Sequence, residues 1–288
     1  MGSGCGHNDV ACIVVTYNSE NHISQCLDAA YDAGVRTFVV VDNSPDSNTL
    51  TALKGWTSVD VQIVKSQENV GFGRANNMGA SLCPPLPYLL LLNPDCRLRA
   101  DTVDSLREYL ESNPEFGAVA PAMCYPNGLR GIGGGGRPSV WKEILARTQL
   151  DEKVPRSWLV TLLRLLSPIP VFASMRATIE TVSEKSALDV FWASGFCLLI
   201  RRDVWERTGG FDPRFFLYFE DVALCQIIRR EGWRVGVVGS AEALHFESQS
   251  STSSEKSEHY YRGFATYLKH YGTWTQRLFV SWFGRWIR

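Results

Sequence analysis

The chain has 288 residues, 45% of them hydrophobic, enough for one large α/β domain with additions or two smaller ones, and this excludes wholesale disorder. Lys+Arg 29 against Asp+Glu 30 give a net charge of -1, so there is no global basic field and the balance argues against nucleic acid as a partner. The 8 cysteines form no CxxC pair and several sit in apolar runs, which predicts small buried thiols in a reducing compartment instead of a disulfide framework or zinc site. The N-terminal MGSGCGHND has no basic segment followed by an apolar one, and Gly6 stands where the myristoylation pattern needs Ser or Thr. No stretch reaches spanning length. The expectation is a cytoplasmic protein, peripheral at most on the inner membrane.

Ala11–Tyr17 (ACIVVTY) reads as a buried strand, followed by Asn18-Ser19, which is helix-capping chemistry. Ile23, Leu27 and Ala30 have helical spacing within residues 19–33, and Gly34 stops that helix. Thr37–Val41 is a second buried strand, delivering Asp42-Asn43-Ser44-Pro45, and Val59–Val64 is a third. This alternation implies parallel pairing with right-handed crossovers, a doubly wound sheet of the nucleotide-binding type. Asn69–Asn77 (NVGFGRANN) leads into a helix. Gly71 and Gly73 suit close backbone approach there, and a helix N-terminus favours anions; the alternative is an ordinary glycine-bearing helix start.

Tyr88–Cys96 (YLLLLNPDC) is the stretch around which the rest is arranged. Prolines on both sides and strand length make its apolar run a buried strand. Ligands gather beyond the carboxyl ends of such strands, so Asp95 stands where a hard cation carrying a diphosphate finds oxygen ligands. The alternative is a solvated turn aspartate. Asp101–Ser112 reads as an amphipathic helix and Phe116–Ala120 as a strand.

Between Tyr125 and Leu188 the alternation breaks down. Gly133–Gly136 reads as a mobile stretch, either a substrate-covering loop or a linker. Trp158–Leu166 and Ile169–Met175 are apolar and either pack over the sheet or form a hydrophobic acceptor groove. Val190–Ile200 reads as one strand, Arg202–Thr208 as a short helix and Gly209–Pro213 as a turn. Phe215–Asp221 (FFLYFED) sets Glu220 and Asp221 directly after an aromatic cluster. Sugar faces pack on rings while acids bind hydroxyls; alternatively the two acids simply begin the helix Val222–Glu231 and complement its dipole. Trp233–Val238 is strand-like, with His245 in the loop beyond as a ligand or a structural hydrogen-bonder. On a helix, Trp274–Arg288 shows Leu278, Phe279, Trp282, Phe283, Trp286 and Ile287 on one face and Arg277, Arg285 and Arg288 on the other. That suits a membrane interface, with docking on the domain or homo-oligomer contact as alternatives.

VVTYN at 14–18, VVDNSPD at 40–46, NVGFGRANN at 69–77, NPD at 93–95 and SGFCLLIRRDVWERTGGFDPRFFLYFEDVALCQIIRREGWRV at 194–235 occur in that order. Together they resemble glycosyltransferase family 2, especially its rhamnosyltransferase-like members, over residues 10–271. The resemblance implies a GT-A fold, a Rossmann-like, mostly parallel central sheet flanked by helices with a C-terminal acceptor-side part. It implies one domain over 10–273, with a nucleotide-sugar half (10–124), a variable insert (125–189) and an acceptor half (190–273), followed by the amphipathic 274–288. The implied activity is inverting transfer from a nucleotide-diphosphate sugar, best dTDP-rhamnose, to a glycan or polyprenyl-linked acceptor in cell-surface polysaccharide synthesis, with Mg²⁺ or Mn²⁺. A UDP-sugar-dependent hexosyl or galactofuranosyl transferase, or a non-catalytic nucleotide-sugar-binding subunit, is the alternative.

Carried across residue by residue, Thr16, Tyr17 and Asp42 contact base and ribose, and Asn18, Asn69, Gly71, Arg74, Asn77 and Asn93 complete the donor set. Asp95 matches the metal-binding end of the family's DxD motif, with Asn93 in place of the first carboxylate, which leaves fewer charged ligands. Asp221 matches the catalytic base, with Glu220 beside it. His245 matches a position that helps hold metal or diphosphate in some relatives. These residue types suit the chemistry: a cation at Asp95 and amides near Gly71 offset charge on the leaving diphosphate, while a carboxylate on another segment accepts the acceptor's proton. Inversion needs no covalent intermediate, so no nucleophilic Ser or Cys is sought.

Overall fold

Parallel strands with apolar residues on both faces build the first half of the central sheet. They are β1 (His7–Thr16), β2 (Val35–Asp42), β3 (Asp60–Lys65) and β4 (Tyr88–Leu92). All five residues of β4 are buried, as a strand between two helical layers requires. Each fully buried leucine there contributes about 1.5–3 kcal/mol. β1 lies between β2 and β4, in register at Thr16 with Asp42 and at Val14 with Leu92. The computed structural model describes residues 7–46, 48–54, 56, 60–131, 133–140, 187–246 and 253–283.

The second half is mixed. It contains β5 (Cys96–Leu98), β6 (Phe116–Cys124), β7 (Arg130–Gly131), β8 (Gly134–Gly135), β9 (Ala187–Val190), β10 (Trp192–Ala193), β11 (Cys197–Arg201) and β12 (Arg234–His245). β11 runs antiparallel between β4 and β6, and β12 is parallel to β6. The order β3-β2-β1-β4-β11-β6-β12-β5 gives a mostly parallel sheet, with β7 and β9 paired at its side and β8 with β10 as a separate ribbon.

The helices are α1 (Ile23–Asp32), α2 (Asn48–Leu53), α3 (Phe72–Leu82), α4 (Thr102–Ser112), α5 (Arg202–Thr208), α6 (Glu220–Arg230), α7 (Ser253–Tyr271) and α8 (Trp274–Phe283). Strand alternation divides the core between the two sheet faces. Val10, Cys12, Val14, Leu90 and Leu92 pack with α1 and α4, whereas Ala11, Ile13, Leu89 and Leu91 pack with α3, α5 and α6. Gly79 lets α3 lie close on β1, since a Cβ there would stand 2.5 Å from Ile13 Cγ2. A third cluster, with Phe215, Phe219, Phe264, Tyr267 and Tyr271, fixes α7 on α6.

Several elements differ from the sequence expectation. α1 begins at Ile23 with no side-chain cap, because Ser19 Oγ is engaged in a local turn with Tyr17. The expected run 190–200 is three short strands, broken around Ser194–Phe196. The glycines at 133–136 are tied to the stretch before β11: Ser194 N–H donates to Gly133 O at 2.7 Å and Phe191 N–H to Gly135 O at 2.8 Å. α6 starts at Glu220, two residues before Val222, and α2 had no clear periodic signal. His245 is the last residue of β12, opposite Cys96, because β12 continues through a register shift after Val238. Trp158–Leu166, Ile169–Met175 and the end of the expected 274–288 helix lie outside the described residues. No helix among the described residues is long and apolar enough to cross a membrane.

Candidate active site

The carboxyl ends of β1, β4 and β12 meet along one rim, where a cleft of about 720 Å³ opens. Thr16, Tyr17, Asn69, Gly71, Asn93, Asp95 and His245 line it together. These come from residues as far apart as β1 and β12, so the fold brings together most of the expected donor and metal residues. Asn43, Lys256 and His259 also line it and were not singled out from sequence, whereas Phe216 comes from the aromatic cluster of Phe215–Asp221. Asn43 lies within the VVDNSPD stretch. Lys256 and His259 are about one helical turn apart on α7, beside an aromatic face spaced Tyr260, Phe264, Tyr267, Tyr271, a pattern that reveals such a helix.

Asp42 stands behind this wall with no exposed surface. Its Oδ1 accepts from Thr16 Oγ1 at 2.9 Å, Ser44 Oγ at 2.6 Å and Ser44 N–H at 3.1 Å, and its Oδ2 accepts from Lys65 Nζ at 3.0 Å. The carboxylate is therefore held by its own chain and fixes Thr16. Three other expected donor residues also stand outside the cleft wall. Asn18 has φ 50, an exposed side chain, and a backbone N–H that donates to Ser44 Oγ at 2.8 Å. Asn77 clamps Phe211 through both of its amide atoms, at 2.7 and 2.9 Å. Arg74 donates through Nε to Pro213 O at 2.9 Å and lines a neighbouring cavity. The expected anion cradle at Gly71 is also partly filled: Gly71 N–H donates to Asn69 Oδ1 and Phe72 N–H to Phe216 O.

Asp95 and His245 form the polar centre of the cleft. His245 Nε2 lies 3.3 Å from Asp95 Oδ1, and Phe246 N–H donates to Asp95 O at 3.0 Å, which pins the end of β12 beside the NPD turn. Asp95 is 8% exposed, and His245 Nδ1 is buried with no partner among the described residues. Cys96 Sγ joins them within 4.8 Å. That thiol is unsuited to be a ligand: it is fully buried, donates toward Phe196 O, and burial and the Asp95 charge push its pKa far up. The pair available to a divalent cation is thus one carboxylate and one imidazole.

The acids Glu220 and Asp221 occupy the first turn of α6. Two consecutive non-glycine residues with positive φ, Tyr218 and Phe219, precede them, each at 67°. Such conformations cost about 1–3 kcal/mol each and persist only where packing overdetermines them. Here Phe219 is wedged against Tyr260, Phe264 and Tyr267, with ring centroids at 5.1–5.8 Å. Gly263 admits the Tyr218 carbonyl, which a Cβ would meet at 2.5 Å. Gly71, at φ +85, likewise admits Phe216 O, which a Cβ would meet at 2.4 Å, so the start of α3 and the acidic loop are physically joined.

Asp221 accepts from Gly195 N–H at 3.1 Å and Val222 N–H at 2.7 Å, contacts that favour its charged form, although burial raises its pKa overall. Glu220 is 4% exposed, and its Oε2 has no partner among the described residues. Burial, then the charge of Asp221, raise its pKa. The pair therefore carries one negative charge more readily than two. Gly195 stands between Asp221 and Phe72, which faces the cleft.

A mostly parallel central sheet flanked by helices, with a polar cleft at its carboxyl rim, is the architecture of the GT-A glycosyltransferase fold, and Glu220 and Asp221 lie outside the residues that line that cleft. The family model Glycosyl transferase family 2 matches residues 11–162, and Glycosyltransferase like family 2 matches residues 171–262. The chain belongs to glycosyltransferase family 2, and its relatives include rhamnosyltransferases. It is 26% identical over 279 residues to the N-acetylglucosaminyl-diphospho-decaprenol L-rhamnosyltransferase of Mycobacterium tuberculosis, covering 91% of this chain and 85% of that protein. It is 22% identical over 248 residues to Rhamnosyltransferase WbbL of Escherichia coli K12, with 84% of each covered. The fold is similar to that of mannosyltransferase PcManGT from Pyrobaculum calidifontis, solved with GDP-Man and Mn2+: TM-score 0.58, 19% identity, 91% of this chain covered. The chain spans 64% of that solved chain.

Proposed function

We propose that the chain is an inverting glycosyltransferase that moves a sugar, rhamnose from dTDP-rhamnose in the first instance, to a hydroxyl of a lipid-linked or other glycan acceptor. The observation that carries this reading is the convergence of Thr16, Asn93, Asp95 and His245 in one cleft whose wall is joined, through Gly71 and Phe216, to the loop that presents Glu220 and Asp221. The two named rhamnosyltransferases favour the rhamnosyl donor, and the mycobacterial one favours an acceptor carrying a lipid diphosphate. Residues 10–273 act as one catalytic domain, with 10–124 on the donor side and 190–273 on the acceptor side. The composition of 274–288 suits contact with the cytoplasmic face of a membrane.

Asp95 and His245 are the residues that would hold Mg²⁺ or Mn²⁺. Their oxygen and nitrogen fit such an ion on the cleft wall, and the imidazole favours Mn²⁺. When bound, the cation offsets charge on the departing diphosphate. Thr16, positioned by Asp42, and Asn93 orient the donor. The acceptor oxygen bonds to the anomeric carbon from the face opposite the diphosphate as the carbon–oxygen bond to the diphosphate breaks. The hydroxyl proton passes to an Asp221 carboxylate oxygen, and Glu220, kept protonated beside it, leaves Asp221 as the charged member of the pair.

Purified protein incubated with dTDP-rhamnose, UDP-sugars and GDP-sugars, each with Mg²⁺, Mn²⁺ or chelator, tests this reading. The expected result is metal-dependent release of nucleoside diphosphate from one donor, and a product of opposite anomeric configuration by NMR. A protein that binds nucleotide yet releases nothing from any donor supports the non-catalytic subunit instead, and retention of configuration rules out the role given to Asp221.

A further inference from the structure

A second cavity, of about 310 Å³, opens beside the cleft and shares Asn69, Phe216, Leu217 and His259 with it. Its wall is rich in cations. Arg74 from α3 and Arg262 from α7 face it, and Lys256 lines the adjoining cleft. Lys256, His259, Arg262 and Thr266 recur every three or four residues, so they form one stripe along α7 that runs from one cavity into the other.

These groups are available to a ligand. Arg74 uses Nε on Pro213 O, which orients its planar fork and leaves both terminal nitrogens. Asn69 uses Oδ1 on Gly71 N–H and leaves its amide nitrogen. Arg262 forms no ion pair among the described residues. Arg214, also on the wall, is different: Asp212 and His270 occupy its guanidinium. The carboxylate on the wall belongs to the exposed Glu68. Two guanidinium groups, an imidazole and an amide converging on one concavity suit the multiple oxygens of a diphosphate.

The donor's diphosphate has its own place, because Asp95 and His245 line the first cavity and not the second. Resting on the transferase reading above, we propose that the second cavity binds the diphosphate of a lipid-diphosphate acceptor, held by Arg74 and Arg262, with the acceptor sugar directed past Phe216 and His259 toward the donor.

Calorimetry on the full chain tests this, with farnesyl diphosphate as a sugar-free probe titrated before and after saturation with dTDP or UDP and Mn²⁺. The probe is expected to bind alongside the nucleotide. Arg262→Gln should weaken the probe about tenfold or more, the loss expected for one charge-assisted hydrogen bond, and move nucleotide affinity less than about twofold, and Arg74→Gln should weaken the probe by a similar factor. Arg262→Lys should recover part of the loss. Both side chains are exposed, so melting temperatures should stay near that of the parent. Mutual exclusion of probe and nucleotide would assign the probe to the donor site and overturn the proposal. So would nucleotide binding with no probe binding, which leaves the donor reading intact. Failure of every nucleotide to bind would remove the transferase reading and this inference with it.

Discussion

The donor rim and the acidic edge both rest on almost unexposed carboxylates, and they hold them in opposite ways. At the rim, Asp42 is surrounded by donors from Thr16, Ser44 and Lys65. At the edge, Glu220 has an oxygen with no partner among the described residues and shares its turn with a second acid. A buried polar atom without a partner costs about 1–3 kcal/mol. The edge tolerates that cost, and two strained residues before it, because aromatic packing from α7 holds the loop in place. Saturated hydrogen bonding holds Asp42, whereas Glu220 sits in an unsatisfied, strained turn.

The largest stability effect should come from breaking the rim. Asp42→Ala strands the Thr16 hydroxyl and removes one acceptor each from Ser44 and Lys65, which keep Thr49 Oγ1 and the Ser44 and Asp46 carbonyls, and about 3 kcal/mol should be lost in urea unfolding, a figure reduced because the Lys65 side chain is 34% exposed. Nucleotide affinity should fall with it, since Thr16 loses its anchor; an unchanged midpoint would show that the network is incidental.

Gly71→Ala attacks the joint between the two regions. Positive φ and the collision with Phe216 O should together cost about 2 kcal/mol, and turnover should drop more than donor affinity. A variant with parental turnover would mean that the two regions work independently.

The two regions also separate by pH. Glu220 titrates higher in the fold than in the unfolded chain, so the folded state holds the extra proton and stability should decline as pH rises from the ordinary carboxylate range through neutrality. The slope from this one group is at most about 1.4 kcal/mol per pH unit. Glu220→Gln should flatten the slope, as chemical unfolding across pH would reveal.

Much of the fold was legible in the sequence because two-sided burial writes β1, β2 and β4 as uninterrupted apolar runs. Their punctuation, Asn93-Pro94-Asp95 above all, marked the cleft rim. What stayed hidden depends on contacts between distant residues. Nothing local in Cys197–Arg201 says that it inserts antiparallel between β4 and β6, nor that His245 pairs with Cys96. Motif membership named Asp42, Arg74 and Asn77, but not that Thr16 and Ser44, Pro213 and Phe211 already engage their polar atoms. The break at Gly195 was equally silent, although its amide is what holds Asp221.

Asp221→Asn tests the central claim most directly, with melting temperature and turnover measured on one sample. Asn keeps the size and its one acceptor oxygen serves either Gly195 N–H or Val222 N–H, so the fold should survive with a loss of about 1–2 kcal/mol, donor affinity should hold, and transfer should fall by about 10²–10⁴. A folded variant that transfers sugar at near-parental rate would show that Asp221 only begins the helix, and would remove it from the mechanism.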